Sequence, residues 1–254
     1  MRDKKTPGNW LKAAIAPNKD FIEETKKFDK WDMQLSLVVF ILAFLLLYVA
    51  AHFAGVLTYA DMEEGFIRYF AATAIAAAPS LIVIGLVFLA CKIRKQKIMK
   101  PSFNKSNTVK SLIVGFIVGT IHISLLLLVI WRDQFTGIRE DLDLVFFITS
   151  LIAQIVFIVF MEELLVRAYM GPRFYGVFEN KIFSIIVVGA MFSFLHVPAR
   201  MFQNDATFWQ TFLDPLITDT LIHSLLFWIY AKYNNIFGPM LYHLIINFVW
   251  WMVA

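Results

Sequence analysis

Residues Leu35–Leu57 read LSLVVFILAFLLLYVAAHFAGVL and contain no charged side chain. A helix needs about 20 mostly apolar residues to cross the hydrocarbon core of a bilayer. The rest of the chain has the same bias, since 59% of its 254 residues are apolar and 17% are charged. In soluble domains roughly 45–50% of the residues are apolar and roughly 25% are charged. The composition excludes a disordered chain and a nucleic-acid-binding domain.

The chain contains a single cysteine, Cys91, which excludes two further classes of protein. One cysteine cannot form an internal disulfide, which excludes a disulfide-stapled secreted module. It also excludes a zinc cluster built on thiolates, so a metal here would need histidine and carboxylate ligands.

Three segments are long and apolar enough to be predicted as membrane spans, and four later ones are shorter or interrupted, which makes seven candidate helices. An eighth helix, tilted or interfacial, fits at Ala206–Leu213. We therefore predict an all-α fold, a polytopic transmembrane helix bundle of about seven to eight spans in the cell membrane. The seven segments are Leu35–Leu57, Tyr69–Cys91, Ser111–Trp131, Leu144–Met170, Ile182–Val197, Leu216–Tyr230 and Ile236–Val253.

The positive charges are distributed unevenly between the two sides of this bundle. Eight Lys and Arg precede the first span, seven more lie in residues 92–110, and nineteen of the 23 fall on one side of a seven-span arrangement. This asymmetry predicts a cytoplasmic N-terminus. The net charge of +4 then reflects contact with anionic lipid and not with nucleic acid. We divide the chain into a basic arm on the membrane surface (1–34), a three-span region (35–143) and a C-terminal helical core (144–254).

The fourth predicted span ends in FMEELLVR, residues 160–167. Charged groups inside a span cost roughly 2.5–3.5 kcal/mol each on insertion scales and therefore indicate function. Glu163 and Arg167 are four residues apart, which places them on one helix face with the acid first, the favoured order. Glu162 points about 100° away and is available to neighbouring helices.

Two later spans carry polar pairs at the same spacing. Phe192 precedes His196 by four residues, and His243 precedes Asn247 by four. Counting about 1.5 Å per residue from the predicted cytoplasmic ends, Glu162, His196 and His243 all lie inside the membrane, where they could converge on one pocket. A glutamate, two histidines and an asparagine are suited to activating water and stabilising an oxyanion.

These residues form three ordered motifs, Glu-Glu-x-x-x-Arg at 162–167, Phe-x-x-x-His at 192–196 and His-x-x-x-Asn at 243–247. The set resembles the CAAX-prenyl-protease and bacteriocin-processing (CPBP, or Abi) family of intramembrane endopeptidases. The resemblance extends from about Leu144 to Asn247 and includes the turn NNIFGP at 234–239.

The resemblance implies a helical protease whose active site lies inside the membrane. Glu162 and His196 would activate water, and His243 and Asn247 would form the oxyanion site. The supporting residues implied by the motifs are Glu163, Arg167 and Phe192. The cofactor stays open between zinc and none, because Glu162, His196 and His243 could also ligate zinc.

The expected partners are membrane lipids and a peptide or membrane-protein substrate cleaved near the membrane. A prenylated tail, a bacteriocin or pheromone precursor, and an envelope protein all fit this description. The alternative function is a catalytically idle relative that binds a membrane partner as a regulator or bacteriocin-immunity factor. A proton-coupled transporter is disfavoured, because the sequence lacks signs of inverted repeats and of paired broken helices.

Other polar residues within or near the spans receive structural interpretations. A second Glu-Glu-x-x-x-Arg, at Glu63-Glu64 to Arg68, lies in a short loop without a following Phe-x-x-x-His, and we interpret it as a solvated turn. His52 and His122 are expected in helix packing. Asp219 and His223 are four residues apart and are expected to pair with each other or to form a wall of the pocket. Arg200 is expected to reach the outer interface.

Overall fold

The computed structural model describes residues 15–59, 66–97, 102–130, 132, 144–204 and 207–252. In this part of the chain every regular element is a helix or a helical turn, which confirms the predicted all-α class. Three segments are π-helical, Leu126–Ile130, Gln154–Val159 and Glu163–Met170. The α-helices are α1 Lys19–Thr25, α2 Lys30–Tyr59, α3 Phe66–Ile93, α4 Thr108–Leu125, α5 Leu144–Ala153, α6 Phe160–Glu162, α7 Gly171–Val177, α8 Lys181–Leu195, α9 Val197–Asn204, α10 Phe208–Tyr233 and α11 Phe237–Met252.

Four helical stretches within the described residues are long and apolar enough to cross a membrane, and two further apolar helices are shorter. The four are Lys30–Phe53, Lys105–Val129, Lys181–Phe202 and Phe208–Tyr233; the shorter two are Ala77–Ile93 and Phe237–Val249. The predicted fourth span, Leu144–Met170, is helical throughout, and residues 161–174 are all buried inside the protein. Charged side chains in this segment require protein partners, which lipid cannot provide.

The region after α8 also differs from the sequence prediction. Of the helix predicted at Ala206–Leu213, the described residues do not form a separate element; α10 starts at Phe208 and continues without a break to Tyr233. Thr207 begins this helix with a capping box, since Thr207 and Gln210 bond each other's backbone N–H groups. The short helix α9, which precedes it, was not predicted.

The described part of the N-terminal arm is attached to the helical core through one buried aromatic side chain, and its expected position on the membrane surface stays a prediction. Phe21 of α1 is buried, with its ring centroid 5.3 Å from that of Tyr175, 5.8 Å from Phe227 and 5.9 Å from Tyr230. The backbone N–H of Asn18 donates to the carbonyl of Ala231 at 2.8 Å. Burial of a large aromatic ring outweighs the polar character of the surrounding arm.

Several basic segments meet at one end of the bundle, which we call the basic end. Arg94, after α3, contacts Asp29 at 2.9 Å and Asp32 at 2.7 Å, and Asp32 also accepts from Gln96 at 2.7 Å. Arg173 of α7 donates to Gln96 as well. These contacts bring the start of α2, the end of α3 and α7 together.

Helices α4 and α11 pack closely and run in the same direction. Gly238 lies against Ser111 and Gly115, and four residues further along each helix Tyr242 lies against Gly119. Small residues repeated every four positions allow such close approach of two helices in a membrane. The pairing places His243 roughly 17 Å along α4 from its first residue, well inside the apolar layer.

This close packing predicts different effects for alanine at two glycines of membrane helices. A methyl group on Gly115 would clash with the backbone of Gly238, whereas one on Gly85 would meet no atom within 4 Å. We expect Gly115→Ala to lower the free energy of unfolding by about 1–3 kcal/mol. Gly85→Ala should be neutral or stabilising by up to about 1 kcal/mol, because alanine favours the helix. Thermal unfolding in detergent measures both, and equal effects would contradict the packing described.

Candidate active site

The site begins with an ion pair inside the central helical run. Glu163 starts the π-helical segment Glu163–Met170, and Arg167 lies four residues further along it. The guanidinium Nη1 of Arg167 is 3.1 Å from Oε1 of Glu163, and both side chains are fully buried. The pairing predicted from their spacing is therefore present. It neutralises a cation that could not otherwise remain in an apolar interior.

Glu163 also holds His243, on α11. Nδ1 of His243 is 2.7 Å from the same Oε1 of Glu163. An ionised carboxylate can only accept, so Nδ1 carries the proton and donates it. The other ring nitrogen, Nε2, then faces Glu162 and lies 3.6 Å from its Oε2.

His196 reaches the same carboxylate from α8. Its Nδ1 is 2.9 Å from the carbonyl oxygen of Phe192, which also can only accept, so this histidine has the same tautomer. Its Nε2 lies 3.7 Å from Oε2 of Glu162. The structure thus brings Glu162, His196 and His243 together. These separations are too long for direct hydrogen bonds and leave Oε2 of Glu162 without a hydrogen-bond partner among the described residues.

Phe192 lies at the centre of this group. Its ring is 4.1 Å from Cζ of Arg167, a cation–π contact. The same ring is perpendicular to two imidazoles, with centroids 4.6 Å from His196 and 5.9 Å from His243. Phe192 therefore lies in contact with the guanidinium and with both imidazole rings.

The turn at 234–239 determines where α11 begins. Asn234 ends α10 in the left-handed conformation, with φ of 48°. The amide of Asn235 donates to the Asn104 carbonyl at 2.9 Å and to Thr108 Oγ1 at 3.0 Å, and its oxygen accepts from the backbone of Phe237 at 2.9 Å. The turn is thereby tied to the start of α4, so this part of the three-span region helps to position His243.

Asn247 lies one turn beyond His243 and contacts a residue that the sequence analysis missed. Its Nδ2 is 3.4 Å from Oε1 of Gln154, a long hydrogen bond at the first position of the π-helical segment Gln154–Val159. The sequence could have indicated Gln154, because its amide is a polar group in the otherwise largely apolar run 144–160. Gln154 orients the amide of Asn247.

One of the two arrangements expected for Asp219 and His223 is wrong. Asp219 does not pair with His223; it accepts two hydrogen bonds from Arg200, at 2.8 and 3.1 Å. Arg200 therefore binds a protein carboxylate, and its expected position at the outer interface stays a prediction. His223 is buried and stacked on Phe227, and neither of its ring nitrogens has a hydrogen-bond partner in the part of the chain described.

The remaining histidines take packing positions, as expected. His122 of α4 bonds the hydroxyl of Tyr242 at 2.7 Å, and the ring of His52 is 5.4 Å from that of Phe202. Glu63 and Glu64 of the second Glu-Glu-x-x-x-Arg lie outside the described residues.

The residues named as possible zinc ligands have suitable chemistry. In both histidines Nδ1 is held by an oxygen acceptor and Nε2 faces Glu162, an orientation that metal-binding histidines also show. Within the described ranges, however, no three His, Cys, Asp or Glu side chains are arranged to hold a metal ion. The donor types fit zinc, and the arrangement of the three side chains does not.

The fold and the site define a membrane helix bundle with a buried glutamate–histidine centre. Residues 144–249 match the family described as Type II CAAX prenyl endopeptidase Rce1-like. This match confirms the resemblance to the CPBP family that the three motifs indicated, and it covers all of them. No curated protein and no solved structure shows significant similarity to the chain.

The contacts of the two adjacent glutamates predict opposite effects on stability. Glu163→Gln leaves Arg167 as a buried cation without its counter-ion, and we expect a loss of about 3–5 kcal/mol. Glu162→Gln breaks no hydrogen bond of Oε2, so its effect on stability should be small or slightly favourable. Melting temperatures of the two variants in detergent test this difference. Equal losses would mean that Glu163 and Arg167 do not form the ion pair on which the site depends.

Proposed function

We propose that this protein is an intramembrane endopeptidase in which Glu162 activates a water molecule for attack on a peptide bond. The observation that carries the proposal is the position of Glu162 Oε2, which lies 3.6–3.7 Å from Nε2 of both His243 and His196. A small polar group can be held between these three atoms. The match to a family of CAAX prenyl endopeptidases supports a protease of this general class.

In the proposed reaction Glu162 takes a proton from water, and the hydroxide adds to the carbonyl carbon of the scissile bond. His196, whose Nε2 lone pair faces the same point, orients the water. The C–N bond then breaks, and the departing amine receives the proton from Glu162. General acid–base catalysis of this kind contributes about 10²–10⁴-fold to rate.

The oxyanion formed by this attack requires hydrogen-bond donors. Since Nδ1 of His243 already donates to Glu163, Nε2 can donate only if the ring is an imidazolium. The Glu163 carboxylate, shared with Arg167, would stabilise that positive charge. Asn247 would supply a second donor with the Nδ2 hydrogen that Gln154 does not accept.

The same histidine in its neutral form would favour the zinc alternative. Glu162, His196 and His243 would have to rearrange to hold the ion, since the described side chains do not form a metal site, and the ion would then supply Lewis-acid chemistry. The mechanism without metal requires His243 as an imidazolium, whereas the zinc mechanism requires it as a neutral imidazole. Loss of activity on dialysis against a chelator, with recovery on adding zinc, would support the metal version.

We propose that the substrate is the tail of a prenylated peptide or protein in the cell membrane, following the family description. A bacteriocin or pheromone precursor and an envelope protein are the other substrates considered. We further propose that the basic end faces the cytoplasm, as the charge asymmetry favours.

The direct test uses the full-length protein in liposomes with a farnesylated, internally quenched reporter peptide. We expect cleavage by the wild type and a loss of at least about 10²-fold in Glu162→Gln. Glu63→Gln alters the second Glu-Glu-x-x-x-Arg in the same way and serves as the matched control, with unchanged activity expected.

The result that contradicts the proposal is equal activity of the wild type and Glu162→Gln. If the folded wild type cleaves neither the farnesylated peptide nor its unprenylated counterpart, nor bacteriocin-precursor or envelope-protein peptides, the idle regulator is favoured instead.

A further inference from the structure

His196 is the single non-helical residue between α8 and α9. It ends α8 with φ of −86° and ψ of −12°, and its carbonyl accepts from the backbone N–H of Arg200 at 3.1 Å. Its side chain is 26% exposed, whereas that of His243 is 4% exposed. The orientation of His196 therefore depends on how the two helices on either side of it are held.

Two adjacent residues of α10 hold these helices. Before His196, Gly189 of α8 packs so closely on Thr220 that an added Cβ would lie 2.8 Å from Thr220 Cγ2. After His196, Arg200 of α9 binds Asp219 with both terminal nitrogens, Nη1 and Nη2, at 2.8 and 3.1 Å. The first attachment is steric, and the second is a bidentate ion pair with directional geometry.

The opposite side of α9 is held by aromatic contacts with α2. The ring of Phe202 lies 5.6 Å from that of Tyr48 and 5.4 Å from that of His52. These contacts restrain α9 without directional hydrogen bonds. The Arg200–Asp219 pair is thus the attachment that sets the rotation of α9 relative to α10.

We infer that Arg200 and Asp219 form a positioning pair that fixes His196 against Glu162. The pair does not touch Glu162 itself; it acts by closing α9 onto α10 one turn after His196. This inference rests on the proposed function, because it assigns the pair to the protease site. Without the pair, His196 loses one of its two anchors and its ring moves away from Glu162.

The test combines kinetics with chemical modification of His196. Arg200→Gln and Asp219→Asn should each lower kcat on the farnesylated reporter by roughly 10–100-fold at an unchanged KM, because small misplacements of catalytic groups cost this much. Diethyl pyrocarbonate, followed by mass spectrometry, should modify His196 several-fold faster in both variants than in the wild type. The exchanged pair, Arg200→Asp with Asp219→Arg, should restore kcat and the modification rate to within about threefold of wild type.

The matched control is Arg94→Gln, which breaks a comparable arginine–aspartate contact at the basic end. It should leave kcat and the modification of His196 unchanged. If Arg200→Gln does not fold, Arg200→Lys replaces it, since lysine keeps the charge and loses the two-pronged geometry.

The outcomes separate this inference from the proposed function. An unchanged rate of His196 modification in the single variants overturns the positioning role, even if activity falls. A second outcome is that the single variants speed up His196 modification, the exchanged pair reverses this, and the protein cleaves no peptide. That outcome supports the positioning role of Arg200 and Asp219 and contradicts the protease assignment.

Discussion

A fully buried arginine is the constraint around which this protein is organised. Arg167 lies in a membrane bundle without a hydrogen bond to any described residue, and its charge is balanced by Glu163 and by the ring of Phe192. Glu163 uses the same oxygen to hold His243. One carboxylate therefore neutralises the cation and sets the tautomer of a histidine, which leaves Glu162 next to it free for chemistry.

The three-span region contributes to this centre through contacts with the C-terminal core. Helix α4 lies along α11 through a row of small residues, and the turn before α11 is bonded to residues 104 and 108. Helix α1 inserts Phe21 among aromatic residues of α7 and α10. The three motifs lie within residues 144–249, and the placement of their side chains depends on residues outside that region.

Much of the fold and of the candidate site could be predicted from the sequence. Long apolar segments imply helices in a membrane, and four-residue spacings are preserved in both α and π turns, so the Glu163–Arg167 pair followed from the sequence. The partner of Asp219 could not be predicted, because Arg200 is nineteen residues away and lies on a different helix. The contact between Gln154 and Asn247 could not be predicted either, because it depends on how two helices that are far apart in sequence pack together.

Burial also explains features of the fold that hydropathy does not reveal. The run at 161–174 contains four charged residues, and it lies in the interior because these charges require protein partners. Phe21 is one of four aromatic residues in the arm, and hydropathy averaged over a window cannot reveal that its ring packs against α7 and α10.

The most direct test of the proposed mechanism follows the oxygen atom of the water molecule that Glu162 is proposed to activate. The full-length protein in liposomes, in excess over the farnesylated reporter, is allowed one turnover in water enriched in ¹⁸O. Mass spectrometry then measures the mass of the product with the new C-terminus and the mass of the peptide that contains Glu162. If Glu162 activates water, the new carboxylate carries one ¹⁸O and Glu162 carries none. An unlabelled product together with ¹⁸O in Glu162 would show that the carboxylate attacks the peptide bond itself, and would contradict the mechanism.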